Sequence, residues 1–259
     1  LHSLSPILHT SAYRHLGLNW RYHALECDED RLQPLLAEHA DWAGFSCTMP
    51  LKRVLLDVAD EIRPLARAVG AGNTLLPGSR GGWIADNTDV HGVVAAIRES
   101  GVAPRTVTVL GAGGTAQAVI AALPEFGIDS CAVLVRDSRR TSALRGTAER
   151  IGILFDVGDL ALDAPGLDQD LIISTLPGDA ADVLAMRRWR PDQAVLDVRY
   201  DPWPTPLAEA ADRAGARVIS GALMLLYQAA RQVELMTDRR APVDVMRAAL
   251  RAARPAAGV

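Results

Sequence analysis

From residue 107 onward, short β-rich apolar runs are separated by stretches with helical spacing. Val107, Val109 and Leu110 form the first run. Gly111, Gly113 and Gly114 follow, and then a small-residue stretch, Thr115 to Leu123, predicts a helix. Pro124 falls late in that helix and should end or kink it. Further runs at Cys131–Val135, Asp170–Ser174, Gln193–Val198 and Arg217–Ser220 read as strands, and Ile153–Phe155 as a strand or an extended segment. Between them, Thr141–Arg150, Ala181–Trp189 and Leu207–Ala214 read as helices. Strands alternating with helices predict a doubly wound parallel sheet with right-handed crossovers.

The first hundred residues are less regular. Ile7, Leu8, Ala12, Tyr13 and Leu16 give the apolar stripe of a first helix, with Ser5 as N-cap, Pro6 in the first position and Gly17 as its end. Arg21–Glu26 predicts a strand, Asp30–Glu38 a helix and Ala43–Cys47 a second strand. Pro50 forbids a central strand and puts Lys52 at the N-terminal end of a helix, Leu51–Asp60, where the macrodipole disfavours a cation. Val69–Leu76 is a turn into a strand, Pro77–Gly82 a hairpin turn, and Trp83–Ala85 the return strand. Asp86-Asn87-Thr88-Asp89 then either caps a helix over Val90–Glu99 or carries chemistry; both readings stand. Two last helices, Gly221–Thr237 and Val243–Ala253, come after the alternating region and are placed to return to the first part. The expected architecture is α/β with two domains. A Rossmann-like doubly wound sheet, residues 89–221, is inserted in an α/β substrate domain made of 1–88 and 222–259.

The 259 residues suffice for two modest domains. A net charge of −4 argues against a general nucleic-acid or membrane-surface role, and no apolar run reaches the length of a membrane span. Cys27, Cys47 and Cys131 are odd in number and lack metal-ligand spacing, which suits small buried thiols in a reducing compartment. No signal peptide is visible, and the opening at Leu1 rather than Met suggests a processed or trimmed start. The expectation is a cytoplasmic protein, monomer or homodimer, with a small-molecule substrate, no metal, and neither nucleic acid nor membrane as partner. The Ala/Arg/Pro tail from Arg251 is expected to fray.

A strand turning through glycines into a helix is the phosphate-cradling turn of a dinucleotide fold. Gly111 makes the tight turn, Gly113 admits a pyrophosphate, and Ala116 lets helix and strand pack closely. A hydride-moving enzyme also needs a proton donor and acceptor for the hydroxyl. Lys52 and Asp89 suit that task as a pair, although a solvated lysine and a capping aspartate are the plainer explanations of each alone. Ser3 and Ser5, flanking one residue, suit a carboxylate; capping explains only one of them.

The blocks HSLSP (2–6), SCTMPLK (46–52), VGAGNTL (69–75), DNTDVHG (86–92), GAGGTAQA (111–118), YDPWPTPL (200–207) and GALMLLYQAARQVELMT (221–237) occur in the order and at about the spacing of one family. In them the chain resembles the shikimate dehydrogenases, a family that includes quinate/shikimate dehydrogenases. The resemblance implies NADPH-linked reduction of 3-dehydroshikimate to shikimate. It implies that Ser3 and Ser5 hold the substrate carboxylate, that Lys52 and Asp89 are catalytic, and that Thr48, Asn73, Asp89, Tyr200 and Gln228 contact substrate. Gly111, Ala112, Gly113, Gly114, Thr115 and Ala116 match its phosphate loop, and Thr175, Gly221 and Met224 complete the implied cofactor contacts. Two departures stand out. The family's usual opening strand and glycine turn are missing before HSLSP, so the first sheet is expected to lack a strand or the chain to be trimmed. Ser46 stands where asparagine is common, which should alter loop support more than catalysis.

Cofactor choice turns on Arg136-Asp137-Ser138-Arg139-Arg140. A 2′-phosphate needs cations, whereas a free ribose 2′-hydroxyl usually meets an acid. Arg136 and Arg140 match basic positions of NADP-using relatives; Asp137 resembles the acid of NAD-preferring ones. NADP is the expected cofactor, with NAD possible. An NAD-preferring quinate/shikimate dehydrogenase is the alternative that Asp137 motivates. A non-catalytic nucleotide-binding sensor on the same fold is a further one, against which Lys52, Asp89 and the serine pair argue.

Overall fold

The computed structural model describes residues 3–259. Leu1 and His2, with which the expected opening turn and the HSLSP block begin, lie outside the described residues.

The alternating region forms a six-stranded sheet. Its strands are β5 (Val107–Leu110), β6 (Ser130–Val135), β7 (Leu154–Asp159), β8 (Leu171–Ser174), β9 (Ala194–Asp197) and β10 (Arg217–Ser220). The order is β10-β9-β8-β5-β6-β7, every pair parallel. Strands β5, β8 and β9 are buried along their whole length because helices and turns cover both faces, and their sequences are accordingly apolar runs without alternation. The chain winds outward in both directions from β5 and β8, so the strand order reverses between these two neighbours.

The first part holds a four-stranded sheet of β1 (Phe45–Ser46), β2 (Glu61–Ile62), β3 (Thr74–Pro77) and β4 (Trp83–Asp86). Its order is β1-β3-β4-β2, with β2 and β4 parallel and the other pairs antiparallel. Leu32, Leu36, Leu55, Leu75 and Trp83 form its separate core. Helices α1 (Ser5–His15), α2 (Leu32–Glu38), α3 (Val54–Val58) and α4 (Pro64–Val69) belong to this part of the chain. Helix α5 (Asp89–Glu99) leads to the large sheet, where α6 (Gly114–Ala122), α7 (Ser142–Ile151) and α8 (Pro206–Arg213) are the crossovers. The last helices, α9 (Gly221–Thr237) and α10 (Val243–Ala253), pack back on α1, and α9 also lies along α5 and β3.

Five local expectations are corrected. Arg21–Glu26 forms no strand: among the described residues no backbone pairs with it, and a cavity of ≈ 600 Å³ separates it from the β1 edge. A lone extended segment has no ladder to hold it. Ser5 is the first helical residue rather than the cap, and Ser3 Oγ accepts its N–H at 3.3 Å. The helix after Pro50 is confined to Val54–Val58, with turns before it. Ala181–Trp189 holds only a 3₁₀ segment, Asp182–Met186, and Trp189 folds back to donate its indole N–H to Leu184 O. The tail does not fray: Ala257 is buried and its carbonyl accepts the Ser220 hydroxyl, while Arg251 Nε donates to Val259 O at 2.6 Å. Pro124 acts as expected, since α6 ends at Ala122 and continues only as a 3₁₀ turn to Phe126, closed by left-handed Gly127.

Candidate active site

The glycine turn leaves β5 at the point where the strand order reverses. Gly111 has φ +104°, and a Cβ there would lie 2.7 Å from Thr175 Oγ1, so only glycine fits. Thr175, just past β8, donates that hydroxyl to Leu110 O at 2.7 Å and flanks the turn from the other side. Ala112 is half-buried beside it, and Ala116 is fully buried in the first turn of α6. The first helical bond runs from Gln117 N to Gly113 O, so the N–H groups of Gly114, Thr115 and Ala116 have no carbonyl one turn back. The space over Gly113 is open. Free donors, a helix dipole and an open approach together fit a pyrophosphate.

Lys52 reaches this turn from the other part of the molecule. Its backbone is pinned where Gly72 N donates to Lys52 O at 2.7 Å. It lies in the turns before α3, a helix of only five residues, whose dipole is correspondingly small. Nζ donates to Asp89 Oδ2 at 2.6 Å and stands 3.5 Å from Thr115 Oγ1. The two side chains are only 13% and 7% exposed, so water screens this pair less than a surface one.

The run 86–89 divides its labour. Asn87 caps α5, its Oδ1 accepting the N–H of Asp89 at 3.0 Å and of Val90 at 3.3 Å. Asp86 pairs with Arg63 at 2.8 Å. Asp89 therefore keeps its carboxylate for side chains: Oδ2 takes Lys52, and Oδ1 takes Asn73 Nδ2 at 2.9 Å. The Asn73 oxygen accepts the Thr88 N–H at 2.8 Å and the Thr74 hydroxyl at 2.9 Å, while its amide nitrogen lies 3.3 Å from Gln228 Oε1. The run thus supplies a helix cap at Asn87 and, at Asp89, a carboxylate facing Lys52.

These groups open on one cleft of ≈ 840 Å³. Ser3, Ser5, Thr48, Asn73 and Gln228 line it together with Lys52 and Asp89. Tyr200, Gly221, Met224 and Thr115 line it from the side of the large sheet and α9. Gly221 has no room for a side chain, because a Cβ would strike the Val198 backbone. Burial pushes the Tyr200 phenol up, so it stays a neutral donor. Arg136, Asp137 and Arg140 are not in the cleft; they follow the end of β6, with both arginines exposed. Neither Arg136 nor Arg140 makes an ion pair among the described residues, whereas Asp137 is bound by Arg139. Two uncommitted guanidiniums fit a phosphate at this end of a dinucleotide.

Three polar groups of the site escaped the sequence reading as site residues. Gln232 donates Nε2 to Thr74 Oγ1 at 3.0 Å and accepts the Ser46 hydroxyl at 2.9 Å. It lies one helical turn beyond Gln228, a spacing that places both on one face of α9. Ser46 and Tyr22 also line the cleft. Tyr22 sits in a segment whose pattern suggested only a strand. Cys47 lines the cleft as well, but burial pushes its thiol up to about 12, so it is no nucleophile at neutral pH. No group of metal-ligating side chains occurs among the described residues.

A reversal-point glycine turn facing a buried lysine–aspartate pair across one cleft is the architecture of a dinucleotide-dependent oxidoreductase. Sequence and structure comparisons narrow this class. The family model described as shikimate dehydrogenase substrate binding domain matches residues 1–75, and that of the shikimate 5′-dehydrogenase C-terminal domain matches 221–251. The chain is 35% identical to the shikimate dehydrogenase (NADP(+)) of Methanopyrus kandleri, covering 96% of this chain and 91% of that protein. The crystal structure of Mycobacterium tuberculosis shikimate dehydrogenase is 40% identical with a TM-score of 0.86, covering 97% and 95% of the two chains. The Thermus thermophilus shikimate 5-dehydrogenase in complex with NADP(H) and shikimate is 30% identical with a TM-score of 0.83, covering 97% and 95%. The chain belongs to the shikimate dehydrogenase family.

Proposed function

We propose that this protein catalyses the reversible NADPH-dependent reduction of 3-dehydroshikimate to shikimate, with Lys52 as general acid and base. The observation that carries the reading is the Lys52–Asp89 pair, 2.6 Å apart inside the cleft and within reach of the glycine turn. When bound, the nicotinamide supplies the hydride. Lys52 Nζ gives a proton to the carbonyl oxygen on reduction and takes it back from the hydroxyl on oxidation. Asp89 holds the amine in place and offsets its charge. Asn73 fixes the Asp89 carboxylate and, with Gln228, Thr48 and Tyr200, offers polar groups to the ring hydroxyls and carboxylate. Ser3 and Ser5 present hydroxyls to the substrate carboxylate at the far end of the cleft.

The dinucleotide would lie over Gly111–Ala116 and Thr175, with Gly221 and Met224 beside its nicotinamide end and Arg136 and Arg140 at its 2′-phosphate. Residues 1–88 and 222–259 then form the substrate domain and 89–221 the cofactor domain. The three cysteines are free thiols, which suits the cytoplasm. No helix among the described residues is long and apolar enough to cross a membrane. The partner is the small-molecule substrate, and a monomer or homodimer meets every requirement of the site.

The test is nucleotide absorbance with 3-dehydroshikimate and NADPH or NADH, and with shikimate or quinate and each oxidised cofactor. Turnover with NADPH and 3-dehydroshikimate well above the other combinations is expected. A preference for quinate with NAD would install the alternative, and no turnover with any combination would install a sensor.

A further inference from the structure

The 136–140 turn contains an acid at the end of the strand where an acid normally accepts the ribose 2′-hydroxyl of NAD. In the structure that acid is already occupied. Asp137 Oδ1 accepts the backbone N–H of Arg139 at 3.1 Å and its Nε at 2.9 Å, and Oδ2 accepts Nη2 at 3.0 Å. We propose that Arg139 is a cofactor-specificity residue, which withdraws Asp137 from the ribose and leaves the turn to favour a 2′-phosphate. The inference rests on the reading above that this turn receives the adenosine ribose.

Two features make the device specific to the pairing rather than to charge alone. The guanidinium meets the carboxylate as a two-pronged fork, so both oxygens are engaged by one neighbour. The Arg139 contacts, together with nearby Arg140, hold the carboxyl below its usual range. A dinucleotide without the 2′-phosphate must then break the fork or leave its hydroxyl without this acceptor. One carrying the phosphate meets the turn's cations, Arg136 and Arg140, with the acid already neutralised. Removing the Arg139 side chain would not dismantle the turn, because Asp137 Oδ1 still caps it by accepting the backbone N–H of residue 139. It would free Oδ2, which among the described residues accepts only Nη2.

The experiment is calorimetric titration of the unliganded protein with NADP+ and with NAD+. The variants are Arg139→Ala, Arg139→Ala with Asp137→Asn, and Arg136→Ala. Arg139→Ala should tighten NAD+ by roughly threefold to tenfold while weakening NADP+. In the double variant the gain for NAD+ should disappear, since an amide replaces the freed carboxylate. Arg139→Ala that weakens NADP+ with no gain for NAD+ would make Arg139 a plain phosphate cation and overturn the proposal, as would a gain that survives in the double variant. Arg136→Ala tests the reading underneath and should weaken NADP+ alone. Should it leave both affinities unchanged, the turn does not meet the ribose, and the site assignment fails together with the proposal.

Discussion

The two sheets solve opposite problems. In the large sheet, β5, β8 and β9 are buried apolar runs held by an unbroken parallel ladder. In the small one, β1 and β2 have two residues each, and the β3–β4 ends open onto a buried polar network of Asn73, Thr74, Asp86, Thr88 and Asp89. The large sheet is a platform that presents the turn after β5, with Thr175, Gly221 and the Arg136–Arg140 turn, at the ends of its strands. The small sheet gives up regular ladder to bury polar groups that must satisfy one another. Buried polar networks are costly when incomplete, so substitutions here should act on chemistry and stability together, whereas those at the glycine turn should act on cofactor binding alone.

Asp89→Asn breaks the small-sheet side at its centre. It should lower kcat by about a thousandfold in steady-state assays while leaving NADP+ affinity within a few-fold. Gly111→Val breaks the other side: a branched side chain meets both the +104° backbone and Thr175 Oγ1. NADP+ affinity measured by titration should fall at least about a hundredfold, with shikimate binding retained. Asn73→Ala leaves the Thr88 N–H, the Thr74 hydroxyl and one Asp89 oxygen short of a partner. Urea unfolding should register a loss of about 3 kcal/mol.

The smallest effect concerns pH. His9 is fully buried between Tyr13, Tyr22 and Gln232, and burial lowers it to about 4, opposed by its bond to Gln232. The folded protein keeps the ring neutral down to that pH, while the unfolded chain takes up a proton near 6.5. Its contribution to stability is whole above pH 6.5 and is lost as pH falls from there through about 4. Unfolding free energies should drop by about 2 kcal/mol from pH 7 to 5 through this group, and His9→Gln should flatten that slope. An unchanged slope would assign the pH dependence to other groups.

The same contrast explains what could be read in the sequence. The inner strands β5, β8 and β9 declare themselves by largely apolar runs, whereas only the start of the edge strand β7 (LFDVGD) was legible; β10, α9 and α10 fall where periodicity puts them. Arg21–Glu26 has a strand pattern, but pairing is a tertiary fact: Tyr22 stacks on His9, yet no backbone among the described residues pairs with the segment. Lys52 and Asp89 were legible as residue types at the starts of elements; their 2.6 Å approach depends on two turns and a helix cap far apart in sequence. Asn87 as the true cap, and Gln232 as the link between Ser46 and Thr74, emerge only from the packed network. The choice between phosphate and hydroxyl at Asp137 was ambiguous in composition because the fork between Arg139 and Asp137, on which we propose it turns, is a matter of geometry.

Lys52 is the centre of the proposed chemistry. Steady-state reduction of 3-dehydroshikimate by NADPH should be compared for the wild type and Lys52→Ala, with shikimate affinity titrated for both. A kcat lower by about a thousandfold or more, with shikimate affinity changed only a few-fold, is the predicted result. A Lys52→Ala protein that turns over at near the wild-type rate would contradict it.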